Sequence, residues 1–145
     1  MIYSEVPAQV AGLFTTNAVK AAPVQLDRER IKKGFCQAII VNSGNANACT
    51  GSQGLRDARR ISSFVAKQLG IDERLVFPSS TGVIGSPLPL KKIEEGIPKL
   101  VDQLSPESCM NTVEAMMTTD TFPKVEVATG RIKGKQVKLC GMVKG

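Results

Sequence analysis

Cys36-Gln37-Ala38-Ile39-Ile40-Val41, then Asn42-Ser43-Gly44-Asn45-Ala46-Asn47-Ala48-Cys49-Thr50-Gly51, then Ser52 to Leu69, is the stretch on which the fold turns. The first segment is an apolar run bounded by Gly34 and by Asn42-Ser43-Gly44, the pattern of a buried central strand. In the last segment Leu55, Ala58, Ile61, Ser62, Val65 and Leu69 recur at three- and four-residue steps, and Gly70 closes the pattern. That spacing predicts an amphipathic helix. The loop between them lies where helix N-termini present free N–H groups, a location suited to a ligand. It matches no nucleotide-binding fingerprint, and its asparagines and glycines equally suit a tight connection with left-handed backbone.

Outward from this stretch, Ala11 to Thr15 reads as a short strand. Pro23 opens a helix with Val24, Leu26, Arg30 and Ile31 near one face, ending at Gly34. Leu75 to Phe77 reads as a strand broken by Pro78. Pro89 begins a helix with Leu90, Ile93, Ile97, Leu100 and Leu104 on one face, which Pro98 kinks or splits. Ser105-Pro106-Glu107 restarts helical structure, with Cys109, Val113, Ala115 and Met116 as apolar positions. Lys124 to Thr129 and Arg131 to Val143 read as two strands around a Thr129-Gly130 turn. The order β-α-β-α-β-α-α-β-β describes a single mixed domain over residues 1–145 with an antiparallel end.

Composition excludes several classes of function. With 42% apolar residues in 145, the chain can build a core. Its longest aliphatic run, Ala38 to Val41, is too short to cross a bilayer, which argues against a membrane role. Met1 to Glu5 lack the basic and apolar regions of a secretory signal, so the expected location is cytoplasmic. The net charge of +6 is diffuse and interrupted by acids, and one tyrosine and five phenylalanines offer little stacking surface. A solvated basic surface, or one matched to an acidic partner, fits better than a nucleic-acid site.

Cys36, Cys49, Cys109 and Cys140 form no C-x-x-C pair, and histidine is absent, so no metal site is expected. The cysteines read as small apolar residues of a reducing compartment. Without histidine, neither a Ser-His-Asp nor a Cys-His arrangement can be built.

Three further places could carry chemistry. Pro78-Ser79-Ser80-Thr81-Gly82-Val83-Ile84-Gly85 follows a strand, and Gly82 permits a turn whose N–H groups hold an anion such as a tetrahedral oxyanion. The same composition also makes a routine turn. Met116-Met117-Thr118-Thr119-Asp120-Thr121 ends a helix with hydroxyls that either contact a polar substrate or cap the chain. Lys144, in the last strand, either binds a carboxylate or is solvated.

Taken together and in order, six phrases resemble one family. They are Glu5-Val6-Pro7-Ala8, Gly12-Leu13-Phe14-Thr15-Thr16-Asn17, Lys20-Ala21-Ala22-Pro23-Val24, Val41 to Ala48, Ser80-Thr81-Gly82-Val83-Ile84-Gly85 and Thr118-Thr119-Asp120-Thr121-Phe122-Pro123-Lys124. The family is the glutamate N-acetyltransferase, or ornithine acetyltransferase, family of arginine biosynthesis. The resemblance implies an α+β fold, an αββα sandwich of the type shared with the aminopeptidase DmpA. It implies a precursor that cuts itself before a threonine, which becomes the N-terminal nucleophile of a β chain. That threonine takes acetyl from N-acetylornithine, and glutamate removes it.

By the same resemblance Thr81 and Gly82 form the oxyanion hole, and Thr118 and Lys144 bind substrate. The chain corresponds to an α portion trimmed at both ends, without the nucleophile and inactive alone. Its implied partner is the β chain, in an α2β2 heterotetramer. No cofactor is implied, and acetyl-CoA stays open as an additional acetyl donor. Two other readings stand beside this one: a related aminopeptidase-type hydrolase subunit, and a basic anion-binding module.

Overall fold

Strand β2 (Phe35–Asn45) is the strand expected from the apolar run, and it continues past Val41 through the polar residues to Asn45. The structure is a computed structural model that describes residues 1–145. It divides into two compact units, Met1–Ser105 and Pro106–Gly145.

In the first unit β2 is central, flanked by β1 (Ile2–Gln9) antiparallel and by β3 (Val76–Val83) parallel. A parallel neighbour requires a crossover, and the helix α2 (Gly51–Leu69) provides it. Ala38 and Ile40 of β2 and Val76 of β3 pack with Ile61, Val65 and Ala66 of α2, with Leu88, and with Ile97 of α3 (Leu90–Asp102). Helix α1 (Ala22–Arg30) adds a second cluster in which Ala22 and Leu26 meet Ala58 and Leu55.

The ends of these helices follow from local chemistry. Gly70 takes φ 67° after α2, and its N–H donates to the Ala66 carbonyl. Gly34, at φ 75°, closes the 3-10 turn Ile31–Lys33 that follows α1.

Three expectations need correction. Ala11 to Thr15 has no regular structure, and the strand lies earlier, at β1. Pro7 sits inside β1, which is tolerated because β1 is an edge strand whose register shifts between Tyr3 and Ala8. Pro78 does not break its strand either; it pairs opposite Ile40. An edge strand turns alternate N–H groups away from its only neighbour, and a proline there costs no ladder bond. Pro98 does not split its helix, which runs as one continuous α3 through it.

The second unit holds α4 (Cys109–Met116) and the antiparallel hairpin of β4 (Lys124–Ile132) and β5 (Lys135–Val143). Its turn is Lys133-Gly134, not Thr129-Gly130. Both turn residues have positive φ, 49° and 78°. A two-residue hairpin loop of that kind matches the twist of its strands. The element order is the one expected, and the fold is α+β. No helix is long and apolar enough to cross a membrane.

Candidate functional site

The carboxyl ends of β2 and β3 run side by side, with Asn42 opposite Ser80, Ser43 opposite Thr81 and Gly44 opposite Gly82. The register slips at Gly44 and Asn45, and beyond it the Ala46 N–H donates to the Val83 carbonyl at 2.9 Å. The Gly85 N–H then donates to the Ala48 carbonyl at 2.8 Å, so the two loops leave the sheet laced together.

Gly82 decides how close they come. Its φ is +133°, and a Cβ there would lie 2.2 Å from the Gly44 carbonyl carbon, 2.5 Å from the Asn45 nitrogen and 2.6 Å from the Gly44 oxygen. All three are backbone atoms, so no side-chain rotation could make room. Gly82 is exposed and Thr81 half-buried, with Val83 and Ile84 exposed beside them. The structure therefore places Thr81 and Gly82 at the end of a strand, on a backbone surface without a side chain at Gly82.

The asparagine-rich loop is scaffold. Asn42 Nδ2 donates to the Asn45 carbonyl at 2.8 Å, and Ser80 Oγ donates to Asn42 Oδ1 at 2.6 Å. Asn45 Nδ2 reaches the carbonyls of Ser86 and Pro87 at 3.0 and 3.1 Å. Asn47 is fully buried; its Nδ2 donates to the Gly54 carbonyl at 2.9 Å, and its Oδ1 accepts from Thr50 Oγ1 at 2.8 Å. A Cβ on Gly54 would sit 1.9 Å from Thr50 Oγ1 and 2.4 Å from Asn47 Oδ1, which explains a glycine early in α2. Each asparagine thus holds backbone that irregular structure would leave unpaired.

The other two expected residues lie in the second unit and are brought together there. Lys144 Nζ donates to Thr118 Oγ1 at 3.1 Å. Sequence reasoning missed the residue that organises them, Asp120. Its Oδ1 accepts from Lys124 Nζ at 2.6 Å and from the Gly145 N–H at 2.7 Å. The Lys124 ammonium, then the Gly145 and Thr118 N–H groups, hold the Asp120 carboxyl down to about 2. The signal was the four-residue spacing from Asp120 to Lys124, but the segment between them is not a helix.

Two further features lie in the first unit, the first of them bordered by Asn42 and Ser80 of the loop scaffold. Behind the β2–β3 pair lies a mostly apolar cavity of about 160 Å³, with Ile40, Ala58, Ile61, Ile93, Gly96 and Ile97 in its wall. In α1, Asp27 Oδ1 is buried without a hydrogen bond, and desolvation pushes its carboxyl up to about 7 against the pull of Arg30. Arg30 is itself buried, and its guanidinium donates to the Val76 carbonyl. The cysteines also differ from the reading as four small apolar groups: Cys36 is buried, Cys109 is half-buried, and Cys49 and Cys140 are exposed.

The ArgJ family model matches residues 1–145. The arginine biosynthesis bifunctional protein ArgJ of Geobacter sulfurreducens is 52% identical over 145 residues, which are all of this chain and 37% of that protein. Its namesake in Caldanaerobacter subterraneus subsp. tengcongensis is 50% identical over 145 residues, 36% of its length. The crystal structure of arginine biosynthesis bifunctional protein ArgJ from Bacillus halodurans superposes with a TM-score of 0.90 at 42% identity, covering 99% of this chain and 75% of that one. Ornithine acetyltransferase from Mycobacterium tuberculosis, complexed with ornithine, gives 0.89 at 33% identity, covering 99% and 77%. The chain thus spans little more than a third of the curated relatives it matches, and about three quarters of the solved chains.

Proposed function

This chain belongs to the ArgJ family, and on that premise we propose that it supplies the oxyanion hole and part of the amino-acid pocket of an acetyltransferase. The enzyme moves acetyl from N-acetylornithine to glutamate in arginine biosynthesis, in the cytoplasm. The nucleophile is the N-terminal threonine of a β chain made by self-cleavage, and α and β chains assemble as α2β2. Coverage supports two chains: the solved relatives are about half as long as the curated ones.

The chemistry suits a chain with no histidine. A threonine hydroxyl is weakly acidic and needs a base beside it. A free α-amine, with an ordinary pKa of roughly 7.7–8.0, serves as that base within the same residue. The hydroxyl attacks the acetyl carbonyl, ornithine leaves, and glutamate takes the acetyl group from the ester. Charge develops on the carbonyl oxygen in both halves, and Thr81 and Gly82 donate to it.

The observation that carries this reading is Gly82 itself. Gly82 is exposed at the end of β3 and carries no side chain, which suits a backbone donor to a small carbonyl oxygen. Lys144, paired with Thr118, offers a cation for a substrate carboxylate. The test is kinetic, in the complete enzyme. Thr81→Ala removes the hydroxyl donor while leaving the Gly82 backbone in place, and is expected to lower kcat by about 10²- to 10³-fold. Lys144→Met is expected to raise KM for the amino-acid substrates with a smaller effect on kcat. Near-parental kcat in the first and unchanged KM in the second would overturn both assignments.

A further inference from the structure

Asn42 and Ser80 face each other across the β2–β3 pair, one residue before Ser43 and Thr81. Their side chains form a two-ended bridge. At one end Ser80 Oγ donates to Asn42 Oδ1 at 2.6 Å, and at the other Asn42 Nδ2 donates to the Asn45 carbonyl at 2.8 Å. A carbonyl can only accept, so the Asn45 end fixes which way the Asn42 amide points and makes the Ser80 hydroxyl the donor at the other end. The bridge needs a donor and an acceptor on one short planar group. Leucine supplies neither, and aspartate would set a carboxylate against the Asn45 carbonyl.

Both anchor points lie beside the Thr81–Gly82 turn. Ser80 is bonded to Thr81 directly. Asn45 is where the register slips, pairing with both Thr81 and Val83, and its nitrogen is one of the backbone atoms against which Gly82 packs. Asn42 and Ser80 also border the mostly apolar cavity, so a strand end released from the bridge has space to move into.

We propose that Asn42 and Ser80 are positioning residues for acetyl transfer, whose bridge holds Thr81 and Gly82 where they donate to the oxyanion. The inference rests on the oxyanion role assigned above and adds the residues that set its geometry. Donors act at about 2.7–3.1 Å from the developing oxyanion, and a misplacement of about 1 Å can cost about 10²-fold in rate. The substrate pair Lys144 and Thr118 belongs to the second unit and has its own hydrogen bond, so loss of the bridge should change kcat and not KM.

The experiment is kinetic, in the complete enzyme, with Thr81→Ala measured alongside. Ser80→Ala removes the donor of the bridge and is expected to lower kcat by about 10- to 10²-fold, with KM for N-acetylornithine and for glutamate within about twofold of the parent. Asn42→Asp breaks the other end and should behave alike. Ser80→Thr keeps the hydroxyl, has the cavity beside its added methyl, and should restore most of the rate. Thr50→Ala removes a loop hydrogen bond of similar length, the 2.8 Å contact with Asn47 Oδ1, and should keep the parental kcat. Parental kcat in Ser80→Ala while Thr81→Ala is slow would overturn the bridge and leave the oxyanion reading standing. A loss in Ser80→Thr as large as in Ser80→Ala, or an equal loss in Thr50→Ala, would also overturn it. Parental kcat in Thr81→Ala would fail the oxyanion reading and this proposal with it.

Discussion

Alanine in place of Gly82 should be among the most damaging single-methyl additions this chain can suffer. The new Cβ would lie 2.2–2.6 Å from three backbone atoms of Gly44 and Asn45, where ordinary contact is 3.4–4 Å. The strands must therefore part by about 1 Å, since no side chain can yield. A φ of +133° adds about 1–3 kcal/mol for a residue other than glycine. Parting also weakens the Ala46–Val83 and Gly85–Ala48 hydrogen bonds, each worth about 1 kcal/mol. The expected cost is about 3–5 kcal/mol, a large share of a domain's stability.

Gly96 provides the internal control. It lies inside α3, and a Cβ there meets nothing within 4 Å. Gly96→Ala should stabilise the chain by about 0.5–1 kcal/mol through helix propensity. Equilibrium urea unfolding monitored by circular dichroism reads both changes. If Gly82→Ala stays within about 0.5 kcal/mol of the parent, the close approach of the two loops is wrong.

Two other predictions concern pH. The Asp27 carboxyl is pushed by desolvation from 3.8 to about 7, so from pH 4 to 7 the unfolded state ionises while the folded state keeps its proton, and stability falls as pH rises. Asp27→Asn cannot ionise, and its advantage should grow over that window to about 1–3 kcal/mol at pH 8, allowing for partial exposure. A difference that does not change with pH would refute the assignment. Asp120, held at about 2 first by Lys124, works in the opposite sense: its anchoring of the hairpin is complete above pH 4 and is lost as pH falls through 2. Titration of the Asp120 carboxyl carbon by NMR should show the low midpoint, and a value near 4 would contradict the geometry.

How far the sequence disclosed this structure depended on where the information lay. Helix α2 was legible because its apolar face repeats at helical spacing and Gly70 stops it. Pro78 misled because a proline breaks a central strand but is harmless on an edge, and edge status depends on the pairing of the whole sheet. The Lys133-Gly134 turn was hidden by a second plausible glycine, Gly130, which the hairpin register places inside β4.

Within the candidate site, Thr81, Gly82, Thr118 and Lys144 were named from a family resemblance, and residue patterns alone left each of them ambiguous. The pairing of Lys144 with Thr118 joins residues far apart in the chain. No local pattern encodes such contacts. Asp120 was passed over because its Gly145 partner is distant in the chain and its four-residue spacing to Lys124 does not fall on a helix.

The most direct measurement joins this chain to the remaining segments of the 52%-identical Geobacter sulfurreducens relative and follows labelled acetyl from N-acetylornithine to glutamate. Transfer by the joined protein, and its loss by about 10²- to 10³-fold on Thr81→Ala, is the predicted result. Transfer catalysed by these 145 residues alone, or a joined and folded protein that moves no acetyl, would contradict the account.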